Sequence, residues 1–306
     1  MHGIYKSFPG VKALQNVEFT LREGEIHALM GENGAGKSTL IKVLTGVYEK
    51  DEGEIYLKGS DKPVAIHSPQ DAQNVGISTV YQEITLCPNL TVAENMYIGR
   101  GKGIGQNWKK MNEDADKILK SLDIPAMANQ QLSSCSIAIQ QMVAIARAVD
   151  MDCKVLILDE PTSSLDEQEV EKLFMLMNNL KAKGVGIIFV THFLDQVYAV
   201  CDRITVLRDG KFVGEYEIKD LPRVKLVATM LGKELDDMSD IKGENKVYKS
   251  DTQTPLFEAE GLCSNAGIKP FDFHVNKGEV NGFVGLLGSG RSECVRAIFG
   301  ADRVTH

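Results

Sequence analysis

The sequence lacks a long hydrophobic run. None of its apolar stretches approaches the roughly 20 residues that a membrane-spanning helix needs. The amino-terminal residues also lack the charged-then-apolar pattern of a secretory signal. We therefore expect the chain to have no transmembrane segment of its own, so that any association with a membrane depends on a partner.

The sequence also lacks an excess of basic residues. Its 306 residues contain 34 Lys and Arg against 42 Asp and Glu, which gives a net charge of −8. A protein that coats nucleic acid neutralises phosphates with clustered Lys and Arg. We therefore expect no nucleic-acid partner, and any basic patch is local.

Paired cysteines are absent as well. The six cysteines are Cys87, Cys135, Cys153, Cys201, Cys263 and Cys294. They form no C-x-x-C pair, and no histidine follows them at a zinc-binding spacing. They are typical of ordinary thiols in a reducing cytosol.

What the sequence does contain is one stretch that occurs twice. Residues 19–48 read FTLREGEIHALMGENGAGKSTLIKVLTGVY, and residues 273–302 read FHVNKGEVNGFVGLLGSGRSECVRAIFGAD. The first copy carries the pattern G-x-x-x-x-G-K-[ST] between a strand-like run and a helix-like run, which is typical of a phosphate-binding loop. The second copy places Arg291 where the first has Lys37. The sequence thus predicts one intact nucleotide site and one altered duplicate.

The chemistry of a phosphate chain explains the residue types of the first loop. Glycines permit close approach of the backbone, so that N–H groups and the following helix N-terminus face the phosphates. Lys37 adds a positive charge for the β- and γ-phosphates, and Ser38 offers a hydroxyl to Mg²⁺. The alternative is a glycine-rich turn that binds nothing. The predicted nucleotide-binding loop is Gly31, Glu32, Asn33, Gly34, Ala35, Gly36, Lys37, Ser38 and Thr39.

A second acidic element complements this loop. Four apolar residues at 155–158 precede Asp159 and Glu160, and acids at the carboxyl end of a buried strand emerge where the crevice of an open parallel sheet lies. We expect Asp159 to hold Mg²⁺ through water and Glu160 to polarise the attacking water. Alone, such a pair is more often a solvated strand end, but here the residues PTSSLD follow it.

Apolar runs and helical patterns alternate along the chain and predict an α/β fold. Buried strands are expected at residues 25–30, 154–158, 186–190 and 203–207. Residues 167–183 are expected to form a helix whose buried face holds Val170, Leu173, Phe174, Met177 and Leu180; the alternative is a partner-binding stripe. Residues 16–22 and 53–58 predict a small antiparallel sheet, residues 88–149 a helical insertion, and residues 236–255 a linker.

These motifs bring out a resemblance to a family. The chain resembles the ATP-binding subunits of ABC transporters, in particular bacterial sugar importers whose two ATPase domains are fused, and most closely the galactofuranose importers. The resemblance implies a P-loop ABC ATPase domain at residues 1–235, with a RecA-like parallel core, an antiparallel β subdomain and a helical subdomain at 88–149. A linker at 236–255 and the incomplete start of a second such domain at 256–306 would follow, so the chain is expected to be truncated.

The resemblance also implies roles for residues that would be unremarkable alone. Gln82 matches the loop glutamine that contacts Mg²⁺ and faces the membrane subunit, and His192 matches the switch histidine of the γ-phosphate. Phe8 matches the aromatic residue that stacks on adenine. Taken singly, His192 would be a capping or surface histidine, and the other two ordinary surface and core residues.

One segment departs from the family pattern. ABC domains carry a second phosphate-binding segment, L-S-G-G-Q, which completes the site of the opposite domain in a head-to-tail pair. Here residues 135–139 read CSIAI. Ser136 and the helix dipole could still meet a γ-phosphate, but at Ile137 the side chain crowds the turn. In a fused pair this segment would face the altered loop with Arg291, which predicts binding with little turnover there.

The function that the resemblance implies is ATP-driven sugar import. The chain would bind ATP and Mg²⁺, hydrolyse ATP with Glu160, His192 and Lys37, and energise uptake of a monosaccharide, with galactofuranose or a related sugar expected. Its partners would be membrane permease subunits and, indirectly, a periplasmic sugar-binding protein. It would lie at the cytoplasmic face of the inner membrane. The alternatives are a soluble ABC protein acting on ribosomes or nucleic acid, and a hydrolysis-deficient fragment.

Overall fold

The computed structural model describes residues 1–81, 85–100, 107–232, 255–265, 267–285 and 289–305. The chain divides into two compact units, Met1–Asp240 and Ile241–His306, called here the first and the second unit. Gln82 and nearly all of the predicted linker at 236–255 lie outside the described residues. The domain boundaries predicted from the sequence therefore stay a prediction.

The described residues of the first unit form two sheets. Its strands are β1 (His2–Phe8), β2 (Val11–Val17), β3 (Ile26–Met30), β4 (Glu52–Glu54), β5 (Ile77–Val80), β6 (Val155–Asp159), β7 (Gly186–Val190), β8 (Arg203–Arg208) and β9 (Lys211–Glu217). The larger sheet has the order β5-β6-β7-β3-β8-β9 and is parallel except for β9. The smaller sheet is antiparallel, with the order β2-β1-β4.

Helices connect these strands. They are α1 (Lys37–Leu44), α2 (Pro69–Asn74), α3 (Val92–Tyr97), α4 (Trp108–Ser121), α5 (Ile137–Val149), α6 (Glu167–Ala182), α7 (Leu194–Val200) and α8 (Arg223–Leu231). Three of them, α3, α4 and α5, occupy the region that the sequence predicted to be helical. Among the described helices, none combines the length and the apolar character that spanning a bilayer requires.

The predicted face of α6 packs on the core. Leu173, Met177 and Leu180 are fully buried, and the Phe174 ring meets that of Phe189 on β7 edge to face, with ring centroids 6.2 Å apart. Such a face is sequestered by the home sheet and is not left for a partner. The expectation of a buried helix face is therefore confirmed.

The smaller sheet differs from the sequence prediction at its first strand. The strand expected at residues 16–22 is wrong, because β2 ends at Val17, and the sequence did not predict β1 at all. Register shifts on either side of Lys6 interrupt the pairing of β1 with β2. A bulge of this kind breaks the period-two alternation by which a strand is recognised in a sequence.

The second unit contains an antiparallel pair, β10 (Phe257–Leu262) and β11 (Phe271–Val275), and the helix α9 (Arg291–Phe299). Gly290 precedes α9 at φ 85°, as Gly36 precedes α1 at φ 103°. Residues 280–284 correspond in the repeat to β3, yet no described strand pairs with them, and Val280 is 96% exposed. That residues 256–306 begin a second ABC ATPase domain stays a prediction.

Candidate functional site

The phosphate loop runs from the carboxyl end of β3 into α1. Gly31 has φ 152°, and a Cβ added there would lie 2.3 Å from the Leu207 carbonyl oxygen and 2.8 Å from the Ala35 methyl group. Gly36 adopts φ 103° as the N-cap of α1. Both conformations are open mainly to glycine. The loop therefore follows a path that sterics restrict to glycine at these positions.

Lys37 folds back over this loop. Its ammonium group donates hydrogen bonds to the carbonyl oxygens of Gly31, at 2.7 Å, and Glu32, at 3.0 Å. Burial lowers the pKa of Lys37, while the negative charges of Glu160 and Asp159 oppose that shift. Lys37 is thus a partly desolvated cation beside two carboxylates. Its attraction for a bound anion is stronger here than in bulk water, because the effective dielectric constant is lower.

The two acids lie where β6 ends. Burial, reinforced by the charge of Glu160 and opposed by Lys37, raises the pKa of Asp159. Glu160 has φ 47°, an uncommon conformation for a residue with a side chain. Its N–H donates to the Val190 carbonyl oxygen of β7 at 2.9 Å, which fixes this turn. Backbone outliers of this kind cluster at functional sites.

His192 follows β7 and meets Glu160. Its Nδ1 lies 3.3 Å from Oε1 of Glu160, because β6 and β7 are adjacent parallel strands whose carboxyl ends reach the same edge of the sheet. The His192 side chain is 59% exposed and that of Glu160 is 31% exposed. Both side chains can therefore reach a group that enters from solvent.

A cavity of about 620 Å³ joins these parts. Of the residues predicted for the site, it is lined by Phe8, Asn33, Gly34, Gly36, Lys37, Ser38, Thr39, Asp159 and Glu160. Gly31, Glu32, Ala35 and His192 do not line it. Ala35 is buried behind the loop, and its N–H donates to the Glu32 carbonyl oxygen at 3.1 Å.

The cavity suits a nucleotide with its metal. The half-buried ring of Phe8 lines the same space as Lys37. It packs edge to face with the Tyr48 ring, with ring centroids 5.1 Å apart. An aromatic ring can stack on a base of any kind. The Ser38 hydroxyl and the Asp159 carboxylate supply oxygen ligands of the type that Mg²⁺ prefers. The donor set therefore fits Mg²⁺ bound together with substrate phosphates.

Sequence reasoning missed two groups of residues at this site. Gln196 on α7 contacts both Thr162 and Thr191, which flank the loops of Glu160 and His192. The turn of Asp209 and Gly210 lines the cavity. The Asp-Gly pair before a second apolar run is a hairpin signal that could have located this turn, but no local pattern shows that it meets the phosphate loop.

Ser136 lies apart from this cavity. It caps α5, and its hydroxyl accepts a hydrogen bond from the Ile139 N–H at 3.4 Å. Ile137 follows it and is 51% exposed. The described residues of one chain therefore do not bring Ser136 to Lys37, and the placement of Gln82 lies outside them.

The chain is similar to known ATP-binding proteins of transporters. Residues 14–163 match the family model described as ABC transporter. The chain is 51% identical to the fructose import ATP-binding protein FruK of Bifidobacterium longum, over 99% of this chain and 60% of that protein. It is 52% identical to the galactofuranose transporter ATP-binding protein YtfR of Escherichia coli K12, over 97% of this chain and 59% of that protein. The chain thus spans about 60% of the length of these relatives.

Solved structures show the same architecture. An ATP-binding cassette of an ABC transporter in its ADP conformation superposes with a TM-score of 0.67 at 29% identity, covering 76% of this chain and 97% of that one. A dimeric ATP-binding cassette in a post-hydrolysis state with ADP and Pi gives a TM-score of 0.58 at 28% identity, covering 71% of this chain and 96% of that one.

Proposed function

We propose that this chain, whose residues 14–163 match the family model described as ABC transporter, is the ATP-binding and ATP-hydrolysing part of a bacterial importer for a monosaccharide. The first unit has the P-loop ABC ATPase fold. The match to that family model and the fold support this proposal. ATP hydrolysis, the sugar and the membrane partners are the parts that we propose.

One observation carries the proposal. Lys37, Ser38, Asp159 and Glu160 line one cavity together with the Phe8 ring. A cation, a hydroxyl and two carboxylates are what a nucleotide triphosphate with its metal requires, and the ring supplies a surface for the base. A structural role alone would not require this set around an open cavity.

The residues suggest how the reaction proceeds. Glu160 would accept a proton from a water molecule whose oxygen attacks the γ-phosphorus, and the bond between that phosphorus and its bridging oxygen breaks to give ADP and phosphate. Lys37 would offset the charge on the β- and γ-phosphates, and His192 would contact the γ-phosphate from beside Glu160. Bound Mg²⁺, held by Ser38 and by Asp159 through water, would neutralise phosphate charge, and Gln82 is proposed to contribute to its binding.

The identity of the sugar rests on relatives alone. The two relatives named for fructose and galactofuranose are almost equally similar to this chain. We take galactofuranose and fructose as the candidates. An ATPase subunit does not contact the sugar in this scheme, because the membrane permease and its periplasmic binding protein select it.

We infer that the chain acts peripherally, at the cytoplasmic face of the membrane and on permease subunits. The repeat of residues 19–48 in residues 273–302 supports a second ATPase domain in the same polypeptide. Head-to-tail pairing would then place Ser136 against the altered loop of Arg291, a site that binds nucleotide with little turnover. Guanidinium groups bind phosphate oxygens well, but in a geometry that differs from that of an ammonium.

The direct test is hydrolysis of ATP by the chain expressed with its permease. Lys37→Ala is expected to abolish nucleotide binding and hydrolysis, whereas Lys50→Ala, at an exposed position, is expected to leave both unchanged. Equal activity of the two variants would contradict the assigned site. Recovery of ribosomes in place of a permease during purification would favour the alternative soluble ABC protein.

A further inference from the structure

The hairpin between β8 and β9 turns through two residues that both have positive φ. Asp209 has φ 50° and Gly210 has φ 72°. These angles are those of a type I′ turn, the tight connection that suits the twist of paired strands. Both residues also line the nucleotide cavity. This turn, which we call the Asp209–Gly210 turn, is therefore part of the cavity wall.

The backbone of Gly210 joins two parts of the site. Its N–H donates to the Ala35 carbonyl oxygen in the phosphate loop at 3.2 Å, and its carbonyl oxygen accepts from the Gln15 N–H on β2 at 2.7 Å. The Gln15 side chain adds a second bond, from Nε2 to the Asp209 carbonyl oxygen at 3.3 Å. The Asp209–Gly210 turn is thus bonded both to the phosphate loop and to β2, the strand that follows Phe8.

The backbone is closely packed where the Asp209–Gly210 turn meets β2. A Cβ on Gly210 would lie 2.7 Å from the Ala13 carbonyl oxygen and 3.1 Å from that of Lys12. A Cβ on Gly36 would lie 2.8 Å from the same Ala13 oxygen. Gly36 and Gly210 therefore both lie close to the same backbone oxygen of β2. A side chain at Gly210 would therefore force the turn and β2 apart.

Displacement of β2 would move the base-binding ring. Phe8 ends β1, and it pairs with Val11 at the beginning of β2 through the hairpin between them. Lys37 instead follows β3, a central strand of the larger sheet. Phe8 thus ends a strand of the smaller sheet, whereas Lys37 begins α1 after a strand of the larger sheet. The Asp209–Gly210 turn is bonded both to β2, the strand after Phe8, and to the loop before Lys37.

We propose that Gly210 is a positioning residue for the nucleotide, because the Asp209–Gly210 turn sets the distance between the Phe8 ring and the phosphate loop. The inference rests on the proposed nucleotide site, with Phe8 as the base-stacking residue. Gly210 contributes through the placement of β2 and makes no side-chain contact of its own. The adenine and the phosphates can be bound together only when that distance matches the nucleotide.

The test compares a ligand that has a base with one that lacks it. ADP and pyrophosphate are titrated calorimetrically, each with Mg²⁺, into the 306-residue chain. Gly210→Ala is expected to weaken ADP binding about tenfold, the scale of one base–aromatic stack, and to leave pyrophosphate binding within about twofold. The matched control is Gly59→Ala, since Gly59 has φ 84° and nothing within 4 Å of an added Cβ. It should change neither affinity.

Testing Gly210→Ala in a chain that also carries Phe8→Ala separates a loss of Phe8 positioning from general damage to the fold. If the turn acts by placing Phe8, Gly210→Ala weakens ADP binding in the wild-type chain but has little further effect once Phe8 is gone. Equal loss of ADP and pyrophosphate binding, or a full additive loss in the Phe8→Ala background, overturns the inference. Should Gly210→Ala fail to fold, Gln15→Ala, which removes only the side-chain bond to Asp209, must show the same selective loss at smaller size.

The same titrations distinguish this inference from the proposed function. If the wild-type chain binds neither ligand, the nucleotide site itself is wrong. If it binds ADP no more tightly than pyrophosphate, the role of Phe8 is wrong, and the inference fails with it. If it prefers ADP and Gly210→Ala keeps that preference, only the positioning role of Gly210 is wrong.

Discussion

The Thr162 hydroxyl donates a 2.6 Å hydrogen bond to the side-chain oxygen of Gln196. The same oxygen accepts a 3.3 Å bond from the Thr191 hydroxyl. Thr162 follows Glu160 and Thr191 precedes His192, and both threonines are only 3% exposed. A single amide oxygen on α7 therefore ties together the two loops that place Glu160 beside His192.

Gln196→Leu is expected to destabilise the chain and to slow hydrolysis more than it weakens ADP binding. The change keeps the volume but leaves two buried hydroxyls without their acceptor, which costs about 1–3 kcal/mol. Urea unfolding, ATP hydrolysis and ADP titration would measure the three effects. The exposed Gln168→Leu, on α6, is the control. Wild-type hydrolysis in Gln196→Leu would show that this link does not position Glu160.

Glu160→Gln is expected to reduce ATP hydrolysis at least about 100-fold while ADP affinity stays close to that of the wild type. The amide keeps the shape of the side chain but cannot accept a proton from water, and a positioned general base contributes roughly 10²–10⁴ in rate. Glu171→Gln, at an exposed position on α6, should hydrolyse ATP normally. Substantial hydrolysis by Glu160→Gln would mean that another group is the base.

When two copies of the chain pair head to tail through their first units, so that Ser136 of one copy meets Lys37 of the other, Ile137→Gly is expected to raise ATP hydrolysis with little loss of stability. The Ile137 side chain is 51% exposed at the beginning of α5, so its removal forfeits little packing, and glycine allows a phosphate to approach the backbone. The stability cost should be about 1 kcal/mol or less. Val224→Gly, 57% exposed in the first turn of α8, controls for the helix effect. Unchanged hydrolysis with intact stability would contradict the crowding argument at Ile137.

The chain is expected to lose stability as the pH falls through about 6.5, because of His27. This histidine is fully buried on β3, where its Nε2 lies 2.7 Å from the Thr205 hydroxyl and its Nδ1 lies 3.1 Å from Glu25. Burial lowers the pKa of His27, against the opposing hydrogen bond and charge of Glu25 and with the support of Arg203 and Arg22.

The sign of the effect follows from the direction of that shift. Near pH 6.5, the ordinary pKa of histidine, His27 binds a proton in the unfolded chain but not in the folded chain. The free energy of unfolding therefore rises with pH in this range. The contribution is fully present above pH 6.5 and is lost as the pH falls toward the lowered pKa. Its slope is at most about 1.4 kcal/mol per pH unit.

Urea unfolding at pH 7.5 and pH 5.5 would measure this difference. It should be smaller in His27→Gln than in the wild type, whereas the exposed His67→Gln should keep the wild-type difference. Burial acts to raise the pKa of Glu25, but hydrogen bonds from His27 and the Arg22 backbone, with the charges of His27 and Arg203, outweigh it, so the pKa of Glu25 is lowered. An equal difference in both variants would contradict the role of His27.

The sequence indicated much of the central sheet and the nature of the phosphate loop. The strands at β3, β6, β7 and β8 stand out because buried parallel strands are continuous apolar runs. The face of α6 stands out because its apolar residues repeat with the helical period. Phe8 and His192, in contrast, were singled out only through the family resemblance, since a lone aromatic residue or histidine carries no local pattern.

Other features could not be predicted from local patterns because they arise between distant parts of the chain. The irregular pairing of β1 hid that strand. Gln196 is an ordinary helical glutamine until Thr162 and Thr191 meet it. Gly210 looked like a turn residue of its own hairpin, yet its neighbours are Ala35 and Gln15, which lie in other elements.

The sequence by itself determined the chemistry of this protein: a glycine-rich loop with Lys37 and Ser38, and Asp159 and Glu160 after an apolar strand. These depend on residue types within a few positions of one another, where covalent spacing fixes the arrangement. The tertiary structure alone decided which residues share a cavity, how Glu160 meets His192, and how the Asp209–Gly210 turn is bonded to both the phosphate loop and β2. Those relations depend on strand order and close packing, which bring residues from opposite ends of the first unit within hydrogen-bond distance.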